Sequence, residues 1–89
     1  MKILIVGNGS RAHALIWKLK QEPAIKKIYC TSGNAGICEL AVCIPIAVTD
    51  IYGLIQFADR NHIDLTIVTT EEPLFEGIVD SFQSQGLPI

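Results

Sequence analysis

The stretch "KILIVGNGSRAHA", residues 2 to 14, decides the fold. "KILIV" shows no alternation of apolar and polar residues, as expected of a strand covered on both faces in a parallel sheet. Two glycines follow, and then Ala12, Leu15, Ile16 and Leu19 recur at the spacing of a buried helix face. A strand that stops at glycines and restarts as a helix brings free amides and the positive end of a helix dipole to one loop, 7–13. Such a loop is expected to receive an anion. Gly7 permits the tight exit, Gly9 lets the backbone approach an anion, and Ser10 can cap the helix or offer a hydroxyl to a phosphate. Arg11 stands in the first turn, where the dipole disfavours a cation by a few tenths of a kcal/mol; a bound anion would compensate it. The plainer alternative is a glycine turn that packs helix on strand, with Arg11 in solvent.

Working outward, the same alternation repeats. Pro23 ends the first helix, because the residue before a proline avoids helical geometry. "KKIYC" (26–30) reads as a second strand, "TSGNAGICEL" (31–40) as a loop. "VCIPIAV" (42–48) is β-prone, but Pro45 cannot donate to a ladder, so that strand is short or lies at an edge. A second helix carries Ile51, Leu54, Ile55 and Ala58 on its buried face, with Thr49 or Asp50 as cap and Asn61 in the left-handed position at its end. "DLTIVTT" (64–70) is another buried-type strand. Phe75, Ile78, Val79 and Phe82 mark a third helix, with Pro73 in its first turn and Gly86 past its end. "LPI" (87–89) opens an apolar segment that is expected to continue. The pattern predicts an α/β, Rossmann-like, doubly wound parallel sheet in three layers. Ligands of such sheets bind outside the carboxyl ends of the strands, at a topological switch point. That rule selects segments 7–13, 31–36 and 69–73.

Composition narrows the function. A chain of 89 residues makes one small domain. Its formal net charge of −2, with no basic block, argues against nucleic acid. Charged residues are only 18%, against about 25% in an average domain, so apolar surface is expected to face another domain or a second copy. Cys30, Cys38 and Cys43 match neither a zinc spacing nor an even disulfide set. They are expected to be small buried residues in a reducing compartment. No apolar run has the length of a signal peptide core or a membrane helix, so no membrane partner is expected and a cytoplasmic location is.

Gly7-x-Gly9-x-x-Ala12 also fits a relaxed dinucleotide fingerprint, whose test is an acidic residue at the end of the second strand. That region reads "IYCTSGN" and holds none, which disfavours nicotinamide or flavin. His13 and Trp17, four apart, are expected to pack together. Glu71 and Glu72 can cap the third helix, and one of them can accept hydrogen bonds from sugar hydroxyls. No residue is proposed as general acid, base or nucleophile, and no metal site is expected.

"GNGSRAHALIWKL", "SGNAGI", "VTDIYGLIQFADRNHIDLTIV" and "EEPLFEGIVDSFQSQGLPI" together resemble the N-terminal domain of the phosphoribosylamine–glycine ligases, along nearly the whole chain and in the same order. In the family's G-N-G-G-R-E-H-A loop, Gly7, Asn8, Gly9, Arg11, His13 and Ala14 match, while Ser10 and Ala12 differ. Its P-G-N-A-G loop maps onto Ser32 to Gly36 with serine for proline. Its G-P-E-x-P-L motif maps onto Thr69 to Leu74, where Glu71, Pro73 and Leu74 match. The resemblance implies an ATP-grasp ligase of purine synthesis that uses ATP and magnesium, with this domain helping to hold 5-phosphoribosylamine. The substrate-binding residues it points to are Asn8, Gly9, Ser10, Arg11, Asn34, Ala35, Gly36, Glu71 and Pro73. It further implies that residues 1–89 are a substrate-binding domain cut short at its C-terminal end. The ATP-grasp domain that would be its partner is missing, so the fragment alone is expected to be inactive, to bind no cofactor and to be prone to self-association. The alternatives are a non-catalytic remnant or interaction module, and a nucleotide- or dinucleotide-binding Rossmann domain.

Overall fold

A computed structural model describes residues 1–31 and 33–89; Ser32 lies outside them. Among these, strands β1 (Lys2–Val6), β2 (Lys27–Thr31), β3 (Val42–Ile44) and β4 (Leu65–Val68) alternate with helices. The helices are α1 (Ser10–Leu19), α2 (Ala35–Leu40), α3 (Ile51–Arg60), α4 (Glu72–Phe75) and α5 (Ile78–Ser84). All strand pairs are parallel, in the order β3-β2-β1-β4, with Leu4 level with Tyr29 and with Thr66. β1 is central, which is why its run does not alternate. Ile3 and Ile5 face one helix layer, with Ala12 and Ile16 of α1 and Ile37 of α2. Leu4 and Val6 face the other, with Leu54 and Ala58 of α3 and Ile78 and Phe82 of α5. Each of the Ile, Leu, Val and Phe side chains among these contributes about 1.5–3 kcal/mol by leaving water. The result is the three-layer, Rossmann-like architecture read from the sequence.

β3 is three residues long and at the sheet edge, as Pro45 requires. Asp50, not Thr49, caps α3: its side chain accepts from Gly53 N at 3.0 Å. Beyond β4, the Thr66 amide donates to the Pro88 carbonyl at 3.1 Å, so 87–89 runs beside the outer edge of that strand. No described helix is long and apolar enough to cross a membrane.

The structure corrects four expectations. Residues 35–40 are helical rather than loop; Asn34 caps the turn by accepting from Ile37 N at 3.0 Å, and Ile37 anchors it in the core. The third helix is two, because Gly77 adopts φ +77° and turns the chain between α4 and α5. Phe75 consequently points outward, 84% exposed, instead of joining the core. Asn61 keeps a negative φ, and His62 takes the positive one at +53°. Finally, Cys38 and Cys43 are joined in a disulfide, and Cys30 alone is a free buried thiol. The spacing argument failed because a six-residue helix returning directly into β3 brings the two Cα atoms within 5.4 Å.

Candidate functional site

The order β3-β2-β1-β4 places the switch point between β1 and β4, since the chain leaves β1 in one direction and returns to its other side with β4. At the carboxyl ends of these two strands lies a cavity of about 230 Å³, lined by Asn8, Gly9, Ser10, Arg11, Ala12, Thr69 and Thr70. A neighbouring cavity shares Arg11, Thr69 and Thr70 with it and continues past Glu71, with Leu15, Val68 and Leu74 as apolar wall. The two form one cleft.

Its floor is built by a close approach of backbones. Gly7 has φ +148°, and a Cβ there would overlap Thr69 Oγ1. The Gly7 amide donates to Thr31 Oγ1 at 2.9 Å, and the Gly7 carbonyl accepts from the Cys30 thiol at 3.0 Å. The Thr69 amide donates to the Val6 carbonyl at 3.0 Å. These bonds tie the loop after β1 to the end of β2, and the start of the loop after β4 to the end of β1. They also occupy the Thr31 hydroxyl at the end of β2, where a dinucleotide site would need a carboxylate.

Gly9 is the N-cap of α1, and no side-chain bond caps the helix. Ser10 is the first helical residue, so the capping role considered for it is not taken. The opening amides of α1 therefore lie at the cleft without a competing side-chain acceptor, the arrangement that attracts an anion. A Cβ on Gly9 would meet nothing within 4 Å, so packing within the chain does not demand glycine there. Arg11 is exposed and lines both halves of the cleft. Glu71, at the N-cap position of α4, likewise makes no capping bond, which leaves its carboxylate available.

The structure brings Asn8, Gly9, Ser10, Arg11 and Glu71 together around this cleft. Asn34, Ala35 and Gly36 do not line it; Asn34 touches a lining residue, Asn8. The Asn34 amide donates to the Asn8 carbonyl at 3.4 Å, and Gly36 leaves room for the His13 ring, which would stand 2.9 Å from a Cβ there. His13 is thus seated against α2, while Trp17 is 59% exposed. Pro73 is fully buried and does not line the cleft. Thr69 and Thr70, inside the 69–73 segment that the switch-point rule selects but outside the named binding residues, do line it. A separate cavity of about 340 Å³, lined by Lys20, Lys26, Lys27 and Leu40 among others, lies at the amino ends of β2 and β3, where no helix presents its opening amides.

The family model described as "Phosphoribosylglycinamide synthetase, N domain" matches residues 1–89, the whole chain. The chain belongs to this family. It is 54% identical over 89 residues to a phosphoribosylamine–glycine ligase of Caldanaerobacter subterraneus subsp. tengcongensis. It is 44% identical over 89 residues to the ligase of that name from Clostridium acetobutylicum, and 48% over 91 residues to that from Escherichia coli K12. In each case all of this chain is covered, against 21% of the relative. The chain therefore spans about a fifth of the length of these synthetases. The family match agrees with the parallel α/β sheet described above.

Proposed function

We propose that this chain is the substrate domain of an ATP-dependent ligase of purine biosynthesis, which joins 5-phosphoribosylamine and glycine into glycinamide ribonucleotide, and that its own task is to hold the phosphoribosylamine. One observation carries the reading: the uncapped opening of α1, Arg11 and the Glu71 carboxylate all face one cleft at the switch point. The helix amides and Arg11 suit the 5-phosphate, with the guanidinium adding a charge-assisted bond. Glu71 suits the ribose hydroxyls, since a carboxylate only accepts hydrogen bonds and hydroxyls can donate them. Thr69 and Thr70 supply hydroxyls between the two.

In this reading ATP and magnesium, which activate the glycine carboxylate, are held by the remaining four-fifths of the ligase, and that portion is this domain's partner. Among the described residues no cluster of three or more His, Cys, Asp or Glu side chains is placed to hold an ion, so no magnesium step is assigned to them. Leu74 and Phe75, exposed beside the cleft, are the surface that partner would cover. The 89 residues alone turn over no substrate, and their place is the cytoplasm, where that synthesis would run.

Titration of the chain with ribose 5-phosphate, followed by backbone amide shifts, tests the binding role. Shifts should centre on residues 8–12 and 69–71, and Arg11→Ala should weaken affinity by about 10- to 100-fold, the worth of one charged hydrogen bond. Shifts confined to Lys20, Lys26 and Lys27, or an unchanged affinity in Arg11→Ala, would refute it.

A further inference from the structure

The Cys38–Cys43 bridge lies outside the cleft but is connected to it through one short path. Cys38 is on the exposed side of α2, and Cys43 is half-buried on the edge strand β3. Both sulfurs lie against Gly33: Cys38 Sγ is 3.6 Å from the Gly33 carbonyl oxygen, and a Cβ on Gly33 would stand 3.0 Å from Cys43 Sγ. Gly33 precedes Asn34, which caps α2 and donates to Asn8 in the first cleft loop. α2 has six residues, of which only Ile37 is buried. A helix so short does not persist unaided; it depends on Ile37, the Asn34 cap and the bridge.

We propose that Cys38 and Cys43 are a reversible thiol–disulfide pair whose bridged form holds α2 and residues 33–36 against Asn8, and whose opening loosens that contact with the cleft lining. In the opening step a small-molecule thiolate attacks the exposed Cys38 sulfur, the S–S bond breaks, and Cys43 leaves as a thiolate. A second small thiolate then takes the mixed disulfide apart and releases Cys38. The protein pair gains two electrons and two protons, and two small thiols become one small disulfide. A small disulfide reverses the sequence by the same exchange. The loop closed by the bridge is short, so the bridge restrains the unfolded chain less than a long one would. Its exposed sulfur admits the exchange, a property of labile rather than structural bridges. Cys30, with no exposed surface and its thiol on the Gly7 carbonyl, takes no part.

The inference is independent of the sugar-phosphate reading, because its test needs no substrate. The chain is equilibrated in glutathione buffers of graded reduced-to-oxidised ratio, trapped with iodoacetamide and digested for mass spectrometry. Amide spectra are recorded on the oxidised and reduced forms. Cys38 and Cys43 should become alkylated together in one two-electron transition while Cys30 stays unlabelled. Amides of Gly33 to Gly36 and of Asn8 should shift between the forms, and those of Lys2 to Val6 should not. The double variant Cys38→Ser, Cys43→Ser should show the reduced-type positions in both buffers. Three outcomes overturn the proposal: free Cys38 and Cys43 at every ratio, a bridge that no ratio opens in the folded chain, or shifts that stop at residues 38–43.

Discussion

Replacing Gly7 by alanine tests the floor of the cleft directly. At φ +148° an L-residue is strained by about 1–3 kcal/mol. The added methyl also enters space held by Thr69 Oγ1, and overpacking of this kind costs about 1–3 kcal/mol. The expected loss is therefore roughly 2–6 kcal/mol, the sum of the two, out of the ~5–15 kcal/mol that holds a typical domain together. Urea denaturation of Gly7→Ala, Thr69→Ala and the double variant separates the two costs. Thr69→Ala by itself removes a 3.3 Å bond from Oγ1 to the Val6 carbonyl and should cost about 1 kcal/mol. In the double variant the overlap disappears while the backbone strain stays, so about 1–2 kcal/mol should return as coupling between the sites. Recovery should be incomplete because the Thr69 Cβ remains 3.3 Å from the new methyl. Strict additivity of the single variants, or a Gly7→Ala chain as stable as the parent, would mean that this contact does not set the loop.

Other perturbations read other parts of the molecule. Thr66 Oγ1 is buried without a hydrogen-bond partner among the described residues; Thr66→Val should raise stability by about 1 kcal/mol in thermal denaturation, and a loss would show that the hydroxyl is satisfied. Asp50→Ala removes the side-chain bond to Gly53 N and should cost about 1 kcal/mol, with the amides of residues 51–54 losing hydrogen-exchange protection first. Burial pushes the Cys30 thiol up to about 11 from an ordinary 9.0. The folded chain thus keeps a proton that the unfolded chain releases. The stabilisation is complete below pH 9 and is lost as pH rises towards 11, so urea midpoints should fall across that window in the parent and less in Cys30→Ala.

Much of the fold is legible in the amino-acid sequence, because its elements carry local signals. The unbroken "KILIV" run announced a strand covered on both faces, and the stripe on 51–58 announced α3. Pro45 consigned its segment to an edge. The candidate site was legible for a related reason: strand-to-glycine-to-helix puts amides and Arg11 at one place through backbone geometry alone. Where the reading failed, the deciding contact was non-local. α2 has one buried residue and no periodic stripe, so nothing in 31–40 distinguishes it from a loop until Ile37 meets the core. Phe75 shares the spacing of Ile78, Val79 and Phe82, yet Gly77 turns the chain and sends it outward.

The amino-acid sequence by itself determined the alternation of elements, the burial of β1 on both faces and the anion-seeking loop after it, since each rests on hydrophobic period or backbone chemistry within about twenty residues. The switch-point rule gathered 7–13 and 69–73 at one end of the sheet, but only the tertiary structure decided which side chains touch. It set Thr69 Oγ1 against Gly7 and joined Cys38 to Cys43. Those pairings depend on strand order and on the path of short connections, and local pattern carries no record of either.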